Sequence, residues 1–220
     1  MSAIKVSAFR WVPSFAQGLV RDLRVRWALE EAGLPYEERL LRLGDNKSES
    51  YRKLQPFGQV PTYEEDGLVL FESGAMVLHV AERSRELLPS DPSARARATS
   101  WMFSALNTVE PPIMFMVQLD LNFAGDEAAK RQRQFVADAV KDRLASVTRW
   151  LGERDYLEDR FTAGDLMMVT VLRILRHTDM VAGVPALAAY VSRCEARPAF
   201  QKALAAQMAV FADNADLAPA

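Results

Sequence analysis

The stretch PFGQVPTYEEDGLVLFESGA, residues 56 to 75, holds the Val60-Pro61 bond, the Asp66-Gly67 dipeptide and the Glu72-Ser73 pair. Asp66-Gly67 supplies the positive φ values that a two-residue hairpin turn demands, so the apolar residues on either side read as paired strands. Glu72-Ser73 then stands at the mouth of a helix. There the Ser73 hydroxyl, the first unbonded amides and the positive end of the helix dipole converge, a combination that suits a small anionic ligand. Read alone, Ser73 is equally a plain helix N-cap and Glu72 a solvated charge; their place directly after an apolar strand favours the binding role.

The elements that position these residues follow from periodicity. Residues 3 to 9, AIKVSAF, contain a β-compatible run. After a loop carrying Pro13 and Gly18, Leu19 to Ala32 places Leu23, Trp27 and Leu29 at helical spacing, and Gly33 ends that helix with Pro35 just beyond. Residues 36 to 43 read as a second strand and 47 to 55 as a short irregular helix. Thr62 to Glu65 and Leu68 to Phe71 form the hairpin, and a helix runs from Gly74 to Glu86. The order is β-α-β-α-β-β-α, a small α/β unit over residues 1–85. LLPSDPSA, residues 87 to 94, is rich in Pro and small polar residues and marks a linker, assigned to 86–93.

Residues 94–220 read as helical throughout. Ser93 is expected to cap a helix from Ala94, and Pro111-Pro112 to break or kink it. Asp126 opens a long helix to Trp150 with an apolar stripe through Phe135, Val136, Ala139, Val140, Leu144, Val147 and Leu151. Thr162 and Asp165 form a capping box, and Pro185 to Arg197 is the last clear helix.

Composition narrows the function classes. A formal net charge of -2 gives no pull toward nucleic acid or an anionic membrane. No apolar run reaches the roughly eighteen residues of a membrane span, and the first residues lack a signal-peptide pattern, so a cytoplasmic location is expected. Cys194 is the one cysteine, which excludes an internal disulfide or a Cys-x-x-Cys pair; His79 and His177 are too few and too far apart in sequence for a metal site, and no metal is expected.

Four separated blocks resemble the cytosolic glutathione transferases, here a bacterial-type member of open class. VRWALEEAGLPYE resembles their first helix and its exit, and GQVPTYEEDGLVLFESGA their glutathione-binding strand, hairpin and third helix. FTAGDLMM resembles the capping box of their helical domain, and VPALAAYVSRCEARPAFQKAL their C-terminal helix. The resemblance implies an α/β thioredoxin-like N-terminal domain plus an all-α C-terminal domain, glutathione as co-substrate, a hydrophobic second substrate, a detoxification role and a homodimer. It implies a cis Val60-Pro61 bond that presents the Val60 backbone to the cysteinyl part of glutathione like an added strand. Ser73 would take the γ-glutamyl carboxylate, Glu72 its ammonium, and Gln59 the same end of the tripeptide.

The chemistry so implied is ionisation of a thiol. Lowering a thiol pKa of about 8.5 by roughly two units takes about 2.7 kcal/mol of preference for the thiolate. The family uses a Tyr, Ser or Cys near the end of the first strand or the start of the first helix. Here Phe9 falls where the tyrosine classes carry their hydroxyl, and Leu19 about where the serine classes carry theirs. Ser14, the one hydroxyl in the loop RWVPSFAQGLVRD, is the expected thiolate donor; a turn role for Ser14, or donation from Gln17, Arg21 or a free amide, stays open. The resulting function is conjugation of glutathione thiolate to a hydrophobic electrophile. The alternatives are a non-catalytic binding or regulatory protein on the same scaffold, or a glutathione-dependent peroxidase or isomerase.

Overall fold

A computed structural model describes residues 3–123 and 125–218. They fall into two compact units, one comprising residues up to Leu88 together with those from Ala196 onward, the other Pro89–Glu195.

In the first unit, β1 (Ile4–Phe9), β2 (Tyr36–Leu41), β3 (Tyr63–Glu65) and β4 (Leu68–Leu70) form one sheet in the order β2-β1-β3-β4. β1 and β2 are parallel, which requires a long crossover, and α1 (Asp22–Ala32) supplies it. Gly33, at φ 66°, ends α1 with its own N–H on the Glu30 carbonyl and the Leu34 N–H on Leu29. α1 begins at Asp22 rather than Leu19, because residues 14–19 run as successive turns and Gly18 adopts φ 74°, which an α-helix cannot contain. α2 (Glu49–Arg52) is capped by Ser48, and α3 (Ser73–Ala81) starts one residue earlier than expected and gives way to turns well before Glu86. Asp66 (φ 47°) and Gly67 (φ 84°) make the two-residue turn between β3 and β4.

The core of this unit is Val6, Val25, Trp27, Leu29, Tyr63, Met76, Val77 and Val80, all without exposed surface. α1 packs between α3 and α9 (Pro198–Asp213). The sequence pattern assigns residues 94–220 to one helical domain whose last clear helix is Pro185 to Arg197; the structure adds a further helix, α9, and places it in the first unit. Its apolar stripe explains why: Phe200 meets Trp27 edge-on at 4.8 Å, with Ala203, Val210 and Phe211 also buried. Polar ties fix the register, Arg197 donating from Nε and Nη2, one edge of its guanidinium, to the two Glu31 carboxylate oxygens at 2.6 and 2.8 Å. Gln207 donates to the Asp22 carboxylate at 2.8 Å, where burial raises the Asp22 pKa while the Arg26 guanidinium opposes the rise.

The second unit contains α4 (Pro92–Ser104), α5 (Glu110–Asn122), α6 (Glu127–Leu151), α7 (Ala163–Leu172) and α8 (Pro185–Glu195); the α6 stripe buries Val136, Val140, Leu144, Val147 and Leu151, but Phe135, expected on it, stands exposed one position off the buried face. Asp91, not Ser93, caps α4: its carboxylate takes the Ala94 N–H at 2.7 Å, and Pro92 occupies the first turn, where a missing N–H costs nothing. Pro111-Pro112 neither break nor end the helical path. Neither proline can donate an amide, and the preceding turn, Ala105–Val109, widens to π geometry, with the Glu110 N–H reaching back to the Ala105 carbonyl.

Every residue of α7 is buried, the pattern of a helix at the centre of a bundle. Its N-terminus carries the expected capping box: the Thr162 Oγ1 accepts from the Gly164 N–H, and Asp165 accepts from the Thr162 N–H at 2.8 Å. Asp165 also takes the Leu157 N–H and the Tyr190 hydroxyl, so one buried carboxylate joins the preceding loop, α7 and α8. At Gly164 an added methyl would sit 2.6 Å from Trp101 Cβ and 3.0 Å from the Ala98 carbonyl. Gly164→Ala is therefore expected to destabilise the protein by about 1–3 kcal/mol through over-packing of α4 on α7, read as a lowered denaturant midpoint.

Candidate functional site

Strand register brings the sequence-predicted residues to one end of the sheet. β3 and β4 pair antiparallel with Tyr63 opposite Leu70, so the residues before Tyr63 and those after Leu70, Val60-Pro61 and Glu72-Ser73 among them, leave the ladder at the same end. β1 pairs antiparallel with β3, Val6 opposite Tyr63, so its C-terminal end runs toward the level of Val60. The exit of β1, Val60 and the start of α3 thus share one sheet end. The Phe57 and Phe71 rings, centroids 6.1 Å apart, meet nearby.

The Val60-Pro61 peptide is cis. Val60 itself is buried, yet among the described residues its N–H and C=O take no protein hydrogen bond. The flanks are firmly held. Ser7 in β1 donates its N–H to the Thr62 carbonyl at 3.0 Å and accepts the Thr62 N–H on its hydroxyl at 2.6 Å. The Tyr51 hydroxyl donates to the Gln59 carbonyl at 2.9 Å, and burial raises its pKa, keeping it a neutral donor. Gly58 is required at φ 60°, where a side chain would strike the Asn46 carbonyl at 2.7 Å; its own carbonyl receives Asn46 Nδ2 and the Lys47 ammonium.

At the head of α3, the first helical bond is made by the Met76 N–H to the Glu72 carbonyl, leaving the amides of Ser73, Gly74 and Ala75 available. The Ser73 hydroxyl is buried and accepts from Arg24 Nη1 at 3.2 Å, so a buried guanidinium adds its charge to the helix dipole. Glu72 is exposed, makes no capping hydrogen bond, and adopts φ 70°, ψ 113°. A non-glycine residue held there stores local strain, a feature that clusters at ligand clamps.

Ser14 lies in an exposed turn after β1; its carbonyl accepts the Gln17 N–H at 3.3 Å, and no protein group orients its hydroxyl among the described residues. Gln17 spends a side-chain proton on the Val12 carbonyl at 3.0 Å. Sequence reasoning missed Arg24 and Lys47 at this site, and Tyr51 and Ser7 beside the segment that flanks it. No local motif marks them, because each contact joins residues from different elements.

In the second unit Met102, Ile113 and Met116 are core, while Phe103 and Phe115 are exposed. Cys194 is buried in α8. Among the described residues no group of three or more His, Cys, Asp or Glu could hold a metal, and no helix is long and apolar enough to cross a membrane.

Two family models match the chain, the glutathione S-transferase N-terminal domain over residues 16–82 and the glutathione S-transferase C-terminal domain over 110–198. Glutathione S-transferase 3 of Zea mays is 32% identical over 201 residues, covering 84% of this chain and 88% of the maize protein. The chain belongs to the glutathione S-transferase family. Poplar glutathione transferase F1 shares the fold with a TM-score of 0.81 at 21% identity, over 95% of this chain and 100% of that one. So does Ure2p in complex with glutathione, with a TM-score of 0.80 at 20% identity over 92% and 98%. The thioredoxin-like α/β unit and helical unit are those of the family. The bacterial type expected from sequence finds no support among eight curated relatives, 27% to 32% identical, all from plants or a fungus.

The Glu72 backbone yields a direct test of whether its geometry serves a ligand. Glu72→Gly relieves the positive φ, and is expected to raise unfolding free energy by about 1 kcal/mol while weakening glutathione binding; denaturant melts and calorimetric titration read the two effects separately.

Proposed function

We propose that this chain is a glutathione transferase that binds glutathione at Gln59, Val60, Glu72 and Ser73, ionises its thiol and adds the thiolate to a hydrophobic electrophile in the cytoplasm. The observation that carries this reading is the unused Val60 backbone edge at the same sheet end as an unused helix N-terminus. An extended peptide laid along Val60 gains two main-chain hydrogen bonds and delivers its γ-glutamyl carboxylate to the α3 amides, the Ser73 hydroxyl and the charge of Arg24. Glu72 meets the γ-glutamyl ammonium. Lys47, held at the Gly58 carbonyl, provides a cation toward the glycyl carboxylate. Ser14, on the loop that leaves β1 at the same sheet end, donates to the thiolate, and holding both reactants together supplies the remaining acceleration.

A homodimer is supported by the edge of the first unit's sheet. β4 is an edge strand carrying exposed Leu68 and Val69, and Phe71 and Phe57 stand exposed beside it, an apolar margin that a second copy would cover.

A second reading, glutathione binding without transfer, is favoured by the apolar Leu19 and by a Ser14 hydroxyl that nothing orients. Steady-state conjugation of an activated aryl halide separates the two. The transferase reading expects turnover that falls at least tenfold in Ser14→Ala with glutathione affinity retained. Ser73→Ala is expected to weaken glutathione by about ten- to a hundredfold, the scale of one hydrogen bond to a charged group, and unchanged affinity would refute the carboxylate site.

A further inference from the structure

Two buried hydroxyls, those of Ser7 and Tyr51, belong to none of the groups assigned above to glutathione, yet they meet at 2.8 Å. Proton counting fixes the direction of every bond around them. The Gln59 carbonyl only accepts, so Tyr51 commits its single proton there. Ser7 must then donate its proton to Tyr51 Oη, and Ser7 Oγ receives the Thr62 N–H. One directional chain results, from the Thr62 N–H through Ser7 and Tyr51 to the Gln59 carbonyl. Such chains polarise along their length and resist partial disruption.

The two backbone ends of this chain bracket a single dipeptide, Val60-Pro61. Pro61 has no amide to offer, and the Val60 N–H and C=O engage no protein group among the described residues. The chain therefore pins the segment from both sides and leaves free the groups between. The two pins are unequal. Thr62 keeps a second tie to β1 through the Ser7 N–H, whereas the Tyr51 hydroxyl is the one described hydrogen bond that holds Gln59.

We infer that Tyr51 and Ser7 are positioning residues for glutathione, holding the Val60 edge in the pose that receives the cysteinyl backbone, Tyr51 through Gln59 and Ser7 through Tyr51. The inference rests on the reading that glutathione binds along Val60. It gives α2 a function, since its short turn sets the Tyr51 ring under the segment, and it accounts for a tyrosine rather than a phenylalanine at a buried position.

The test uses the full chain and Tyr51→Phe, which removes one oxygen, keeps the buried ring and leaves the β1–β3 pairing intact. Calorimetric titration with glutathione is expected to show affinity lowered on the order of five- to tenfold. KM for glutathione should rise in parallel, with kcat and the KM for an aryl halide within twofold of wild type; a hydroxyl that only stabilises the fold would lower the melting temperature without that split. Ser7→Ala should act in the same direction, and the double variant should bind no more weakly than the weaker single one, because both break one chain. Wild-type binding with Tyr51→Phe affinity within twofold of it overturns the inference, as does additivity in the double variant. If Ser7→Ala does not fold, Tyr51→Phe alone decides. Wild-type protein that fails to bind glutathione overturns the transferase reading itself, a result distinct from either.

Discussion

The pairing of Tyr63 with Leu70 across a two-residue turn is the constraint on which the site depends. A strand register can slip only by whole residues, and a slip of one would send every side chain to the opposite face. With Asp66 and Gly67 fixing the loop length, the segments that carry Val60 and Ser73 leave the ladder at the same end of the sheet. A longer loop would carry the head of α3 away from the free peptide edge. The buried Tyr63 side chain enforces the same register from the core, since a slip would bring it out of the apolar layer beneath the sheet.

What the fold leaves unsatisfied is as informative as what it satisfies. Most buried backbone groups in a folded protein find partners, so an unpartnered Val60 amide and carbonyl between two tightly held neighbours identify a place where a partner arrives from outside. The three free amides of α3 and the guanidinium behind Ser73 give that place its charge preference. A peptide edge alone would accept many extended chains. The addition of a helix N-terminus at the same sheet end selects for a ligand that also carries a carboxylate.

Local features were legible in the sequence. The Asp66-Gly67 turn, the Gly33 stop, the Thr162 and Asp165 capping box and the helix opened by Asp126 are each written in a few adjacent residues, and each is present. Features set by tertiary packing were not. Leu19 suits a helix by periodicity, but Gly18 in a left-handed conformation delays α1 to Asp22. Ser93 and Asp91 are both good caps, and the position of Pro92 at the first turn decides for Asp91. The double proline looked like a break because the π turn that accommodates it has no sequence mark. Residues 198–213 carry no clear helical mark of their own, and their place in the first unit is set by the packing of Phe200 on Trp27. At the site, Val60, Glu72 and Ser73 could be named from adjacency and family resemblance, whereas Arg24 and Tyr51 act across elements and required coordinates.

The central claim is that this site both binds glutathione and stabilises its thiolate, and an ultraviolet difference titration of the protein with glutathione tests it most directly. The account predicts thiolate absorbance of the bound ligand appearing at least one pH unit below the free-thiol value of about 8.5, and shifting back toward it in Ser14→Ala. Bound glutathione whose thiol ionises no earlier than free thiol would contradict it and leave a scaffold that holds the tripeptide without activating it.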